Sequence, residues 1–291
     1  MPLTTIYGGS PSTRVIGDAT ALEESLHPFA MNYINAMRSP TGGNYAMTVN
    51  EIDAVNNLVR SLFANGIYLK MKAIYPVIGG TAAAHKYNLV DPRDADAAFR
   101  LSFLGGGWTH NSNGMTPNGT TSYANTFLNP STTLTLNNTH LAYYTSTSTV
   151  ANNQRDIAVF IIGANPVLSI GTNTNLVVSD SYNAPANRLT ATMNNGSGLV
   201  SGSRTSSTSH KAFLNGIQLG NTDTASTSGQ SLPNAPLYIG CANITGAGSG
   251  TSAFSNKNYR FISIGDGLTD AEARAFYQIV QTFQTKLGRQ V

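Results

Sequence analysis

The amino-acid sequence predicts an all-β protein: an antiparallel jelly-roll sandwich with an N-terminal arm and two peripheral helices. Three observations carry that expectation. Between residues 67 and 267, short apolar or alternating runs follow one another, separated by Gly, Asn, Ser, Thr and Pro. An Asn215-Gly216 pair stands between two alternating runs, the pattern of a two-residue hairpin turn. Two capping boxes, Thr48 with Glu51 and Thr269 with Glu272, each open an apolar run at helical spacing.

Residues 1–48 read as an arm. Gly8-Gly9, Pro11, Pro28 and the run Ser39-Pro40-Thr41-Gly42-Gly43 prevent a long regular element, leaving short helical pieces at 18–26 and 29–37. The arm still carries Ile6, Tyr7, Val15, Ile16, Leu22, Leu26, Phe29, Met31, Tyr33, Ile34 and Met37. A solvated linker has no need of so many apolar side chains, so the arm is expected to attach to other copies or to a particle.

Residues 49–291 are expected to form the sandwich domain with its flanking helices. The first helix, about 50–64, places Val49, Ile52, Val55, Leu58, Val59 and Leu62 on one face and stops at Asn65-Gly66. Strands are predicted at 67–78, 98–104, 141–146, 157–163, 176–179, 188–193, 199–203, 211–219, 236–241 and 259–264. Residues 157–162 are apolar on both faces, which marks a central strand. The second helix, about 269–286, carries the stripe Phe276, Tyr277, Val280, Phe283 and Leu287 and ends at Gly288.

Composition narrows the function. The 291 residues carry a net charge of +3, with Lys and Arg dispersed rather than gathered in a stripe, so no nucleic-acid partner is expected. Only 11% of residues are charged, and from Leu101 to Gln154 there is no Asp, Glu, Lys or Arg at all. A β surface solvated by Ser, Thr and Asn suits contact with sugars or with other coat subunits. Cys241 is the only cysteine, which excludes an intrachain disulfide and suits a reducing compartment; in its strand-like run it reads as a small core residue. No secretory signal and no membrane-spanning run of about 18 to 20 apolar residues is read in the sequence, so no membrane partner is expected.

From residue 205 onward, four segments resemble the last third of concanavalin A-like and laminin-G-like domains. They are Phe213-Leu214-Asn215-Gly216, Leu237-Tyr238-Ile239-Gly240, Tyr259 through Ile264, and Leu268-Thr269-Asp270-Ala271-Glu272. Tyr75-Pro76, Asn88 through Phe99, Gly105 through His110 and Ala275 through Arg289 resemble structural proteins of tailed bacteriophages. That resemblance implies a concanavalin A-like head decoration, fibre or tail-associated subunit, assembled in the host cytoplasm and resident in the virion. Its partners would be other virion subunits or copies of itself, with surface glycans as further ligands. A free bacterial carbohydrate-binding module is the alternative, and a glycoside hydrolase the third reading.

The chemistry-bearing residues favour binding over catalysis. Glycoside hydrolysis uses paired carboxylates about 5 to 10 Å apart, and between Ile52 and Ala271 there is no Glu. The histidines show no zinc spacing, and no nucleophile elbow or phosphate loop occurs. No catalytic residue and no cofactor is therefore expected. Asp91, Asp94 and Asp96 cluster as Ca²⁺ ligands do, but Arg93 stands among them and favours local ion pairs instead. Trp108 follows three glycines and precedes Thr109-His110, so it reads either as a stacking plane for a sugar or as a core anchor. Trp108, His110, Tyr144 and Tyr182 are the candidate glycan-binding residues.

Overall fold

The computed structural model describes residues 26–163, 167–182, 187–246 and 248–291. Among them are five helices: α1 (Pro28–Arg38), α2 (Val49–Ala64), α3 (Ala82–His85), α4 (Pro130–Thr133) and α5 (Asp270–Lys286). The first ten strands are β1 (Met71–Tyr75), β2 (Ser102–Leu104), β3 (Thr109–Asn111), β4 (Gly114–Thr116), β5 (Tyr123–Asn125), β6 (Thr139–Thr145), β7 (Gln154–Ile162), β8 (Val167–Asn173), β9 (Leu176–Ser181) and β10 (Leu189–Thr192). Seven more follow: β11 (Gly198–Ser206), β12 (Ser209–Leu214), β13 (Ile217–Asp223), β14 (Tyr238–Ile239), β15 (Ala242–Gly246), β16 (Gly250–Ser252) and β17 (Tyr259–Gly265).

These strands form the predicted two-sheet sandwich. One sheet runs β13-β12-β11-β6-β17-β4-β3, with β1 also on β17. The other runs β10-β9-β8-β7-β14-β5-β2, with β15 and β16 attached beside β7. Pairing is antiparallel throughout except that β15 runs parallel to β7, a departure from the purely antiparallel expectation. The first sheet is also covered on its far side. Along β6, Leu141 and Tyr143 face the second sheet, while Ala142 and Tyr144 face a layer of helices. Phe276, Val280 and Phe283 of α5 pack there with Val55 and Leu58 of α2, so most of the stripe predicted for each helix is buried, with Tyr277 and Leu287 partly covered and Val49, at the start of α2, 50% exposed. Both capping boxes form as the sequence predicts.

The described part of the arm packs on the chain's own domain. Ala30, Tyr33, Ile34 and Met37 of α1 are fully buried in the same helical layer, and the His27 amide donates to Asn56 Oδ1 of α2. Residues 1–25 lie outside the described residues.

A β-bulge in β7 organises the space between the sheets. Arg155 pairs with Gly171 and Ile157 with Ile170, so Asp156 is the extra residue and turns inward. Gly171 is required there, because a Cβ would lie 2.1 Å from the Gln154 carbonyl oxygen. Asp156 meets Lys257, which precedes β17, and both are fully buried. Lys257 Nζ donates to Gln154 Oε1 at 2.9 Å, Asp156 Oδ1 at 3.2 Å and Thr172 Oγ1 at 3.1 Å. Ser255 Oγ and Tyr259 Oη each donate to Asp156 Oδ1 at 2.7 Å. An ion pair with all these partners ties the two sheets together.

His140 of β6 is fully buried, with Nδ1 2.7 Å from the Asp266 carbonyl and Nε2 3.1 Å from Ser263 Oγ. Burial pushes its pKa down to about 4, against the opposing pull of Asp266. Because the folded value lies below the unfolded one of 6.5, its contribution is complete above pH 6.5 and is lost as pH falls toward 4. The loss at pH 4 amounts to about 3 kcal/mol for this residue alone. Denaturant melts between pH 7 and 4 should therefore show a falling midpoint, and His140→Gln should flatten that fall. An unchanged slope in the variant would contradict this assignment.

Candidate functional site

The sequence-predicted residues separate into three places. Tyr144 is buried under α5, its hydroxyl donating to Gln281 Oε1 at 2.7 Å and accepting from the Val291 amide at 2.9 Å. Tyr182 is buried between the sheets, with its hydroxyl 3.1 Å from Thr139 Oγ1. Neither ring has a face to offer a sugar, which corrects the expectation for both. Their apolar surroundings, invisible in a local sequence window, account for the difference.

Trp108 and His110 do come together. Gly105, Gly106 and Gly107 all adopt left-handed φ, and a Cβ on Gly105 would collide with the Thr121 carbonyl at 1.8 Å. The loop so formed brings Trp108 half-buried against Phe103, ring centroids 5.2 Å apart, and stacks it with His110 at 5.9 Å. The indole N–H is directed at the carbonyls of Leu104 and Tyr123, 3.3 and 3.2 Å away. Trp108 thus anchors the loop and packs on the inter-sheet core. We expect Trp108→Ala to cost about 3 kcal/mol, read as a lowered melting temperature. A variant that melts like the parent would mean that the ring contributes only surface.

Asp91, Asp94 and Asp96 do not converge on a cation site. Arg93 pairs with Asp91, while Arg100 reaches both Asp94 and Asp96 and Lys86 reaches Asp94 at 2.6 Å. No cluster of three or more His, Cys, Asp or Glu that could hold a metal occurs among the described residues. Cys241 is buried between β14 and β15, and burial pushes its thiol up to about 12, as suits a core residue.

A polar groove lies elsewhere, where the edge strands of the two sheets meet. It has a volume of about 600 Å³ and runs between β10 and the end of β13. Arg188, Thr190 and Thr192 line one side, and Asn221, Thr222 and Asp223 the other, with Leu176 at the wall. Alternation along β10 explains the lining: Leu189 and Ala191 turn into the core, so the residues between them turn out.

Behind Asp223 sits a charged interior. His210 is fully buried, with Nε2 3.0 Å from Ser179 Oγ and Nδ1 3.7 Å from Asp223 Oδ2. Arg204, also fully buried, brings Nη2 to 3.7 Å from the same carboxylate. Burial lowers the His210 pKa. Burial also works against the Asp223 charge, yet bonding to His210 and to the Ala225 amide holds its carboxyl below the ordinary range. Ser179, His210 and Asp223 stand in nucleophile, base and acid order, but Ser179 is only 2% exposed and no substrate reaches its oxygen. The arrangement fixes Asp223 at the wall of the groove. Sequence reasoning missed this site, since its residues come from β9 through β13 and share no local motif.

No protein-family model and no curated protein matches the chain. Among solved structures, Trypanosoma rangeli sialidase in complex with 2,3-difluorosialic acid is similar at 11% identity and a TM-score of 0.49, covering 79% of this chain and 39% of the other. The botulinum neurotoxin serotype D binding domain is similar at 9% identity and a TM-score of 0.47, covering 73% and 52%. Domain 4 of a GH43 extracellular arabinanase from Geobacillus stearothermophilus, in complex with arabinotriose, is similar at 10% identity and a TM-score of 0.43, covering 72% and 98%. This chain spans about two fifths of the first and half of the second. No residue role is carried over from any of them. No helix among the described residues is long and apolar enough to cross a membrane.

Proposed function

We propose that the chain is a non-catalytic, glycan-binding β-sandwich. The groove between β10 and β13 carries this reading. Its Thr, Asn, Arg and Asp side chains supply the mixed donors and acceptors that sugar hydroxyls need, and strands rather than mobile loops hold several of them. Asp223 is the one carboxylate among the described groove residues, and the sealed Ser179 offers no nucleophile. The test is a glycan array followed by titration of the best binder. Asn221→Ala combined with Thr190→Ala should weaken binding about tenfold or more without lowering the melting temperature. Binding that survives this pair but is lost in Trp108→Phe would move the site to the Trp108 and His110 shelf. Release of reducing sugar from the bound glycan would overturn the non-catalytic reading.

The wider role we propose is that of a phage virion structural subunit: a head decoration, fibre or tail-associated protein contacting other virion subunits or copies of itself. It rests on the sequence resemblance described above and on the long uncharged Ser, Thr and Asn-rich segment. Peptide mass spectrometry of purified particles tests it, and a free carbohydrate-binding module would be absent from them. Attachment through the arm is best tested by deleting residues 1–25, because deletion to residue 41 would also remove buried Ala30, Tyr33, Ile34 and Met37 from the helical layer.

A further inference from the structure

Beside the groove, on the second sheet, lies a smaller pocket of about 200 Å³ lined by Asn153, Arg155, Phe160, Arg188, Ile244 and Ser252, among others. Two of these residues are arginines, and their charges are not balanced locally. Asp180 is fully buried and committed: Arg188 Nε donates to its Oδ1 at 2.8 Å, and Ser169 Oγ to its Oδ2 at 2.5 Å. Asp156 faces the other way, into its pair with Lys257. Arg155, Arg188 and Lys257 thus stand against Asp156 and Asp180, leaving one positive charge in excess around this pocket.

Arg155 is the unusual member. It is 5% exposed, and its Nη1 donates to the Gln154 carbonyl at 3.0 Å. Its Nε, also buried, has no hydrogen-bond partner among the described residues. A buried donor left without an acceptor costs about 1 to 3 kcal/mol, more when the group is charged. Such a cost is offset when a ligand supplies the acceptor. Burial, and then the neighbouring Arg188 charge, weaken the guanidinium's hold on its proton, while Asp180 and Asp156 strengthen it. The Phe160 ring lies 5.9 Å from the Arg155 guanidinium carbon and gives the pocket an apolar wall. On the rim, Asn153 and Ala253 both adopt left-handed φ, and the Ala253 carbonyl accepts from the Arg155 amide at 2.8 Å. The pocket therefore has a fixed mouth, an apolar wall and two cationic donors.

We propose that this pocket is a carboxylate-binding subsite for an acidic saccharide, with Arg155 and Arg188 holding the acid group. The inference rests on the glycan reading of the adjoining groove, which Arg188 also lines. A sugar chain in the groove would place a uronic-acid substituent between the two guanidinium groups, with Phe160 beside the ring's C–H face and Asn153 and Ser252 near its hydroxyls. Charge-assisted bonds from guanidinium to carboxylate are the strong class of hydrogen bond and give the acid its preference over the neutral sugar.

The experiment is isothermal titration of the full chain with an oligogalacturonate and with the uncharged galacto-oligosaccharide of the same length, at one ionic strength. The acidic ligand should bind about tenfold or more tightly than the neutral one. Ser252→Asp, which puts a carboxylate at the pocket mouth and leaves the Arg188–Asp180 pair intact, should abolish the preference while neutral binding persists. Arg188→Gln, at a residue that also lines the groove, should weaken both ligands but the acidic one more, so the preference falls; a melting curve is run in parallel because Asp180 loses its partner. Equal binding of acid and neutral sugars would overturn the subsite and leave the groove reading in place. Binding of neither would overturn both. Acetate competing as well as the oligogalacturonate would reduce the pocket to a simple anion site and overturn the saccharide assignment.

Discussion

Lys257→Met is expected to lower stability by about 3 to 5 kcal/mol, because it leaves the Asp156 carboxylate buried without a counter-charge. For a domain of this size that is a fall of roughly 10 °C in melting temperature. Ser255 and Tyr259 still donate to Asp156 in the variant, so the carboxylate is not bare, but two neutral donors do not offset a full charge. The pair itself is a different matter from its breakage. Lys257→Met combined with Asp156→Asn removes both charges, and it should recover much of the loss. A cycle in which the double variant costs the sum of the singles would show that the two side chains act independently. A Lys257→Met loss under 1 kcal/mol would contradict the sheet-to-sheet tie altogether.

Arg289→Met should be nearly as costly. This side chain is 3% exposed and links three parts of the fold. Its Nη1 donates to the Val77 carbonyl at 2.7 Å and the Ser112 carbonyl at 3.3 Å, and its Nη2 to Pro76 at 3.3 Å and Arg260 at 3.1 Å. Nε donates to Gln284 Oε1 at 3.1 Å. Burial pushes the guanidinium down to about 10, still charged at neutral pH. Val77 is held at φ 53°, an unfavourable conformation for a β-branched residue, and the Arg289 bond to its carbonyl helps fix it there. We expect a loss of about 3 to 5 kcal/mol, with Arg289→Lys recovering only part because an ammonium cannot span the four carbonyls. Proteolysis near Val77, followed by mass spectrometry, should report the released loop. If cleavage there is no faster than in the parent, Arg289 does not restrain that loop.

Much of the fold was legible because local chemistry and global packing agree. Asn215 and Gly216 take left-handed φ of 52° and 72°, as the hairpin turn between β12 and β13 demands. Thr48 with Glu51 and Thr269 with Glu272 cap helices whose apolar faces are the buried ones. Other elements were not legible. β8, absent from the predicted strands, is polar at Ser169 and Thr172 and carries Gly171, and it is a strand because β7 and β9 pair with it on either side. Tyr144 read as a surface aromatic because alternation presumes that one face of a sheet meets water, whereas this sheet is covered by helices. Arg155 and Arg188 gave no signal, since cations 33 residues apart come to line one pocket only once the strands from β7 to β10 fold into one sheet.

The sheet under the helices also has an order of assembly written into it. β17 occupies a central position, paired with β6 on one side and with β1 and β4 on the other, and α5 follows it directly. α5 in turn closes on α2, where Asn50 Nδ2 donates to the Lys286 carbonyl at 2.5 Å and Lys286 pairs with Asp53. Contacts so distant along the chain carry a high closure entropy and form late. A ribosome must deliver residues 259–286 before β1 can find its neighbour or α2 its cover. Until then, the β7 to β10 meander can form by itself, while Ile74, Leu58 and Tyr144 await their partners in water. That interval is when a chaperone would find most to hold.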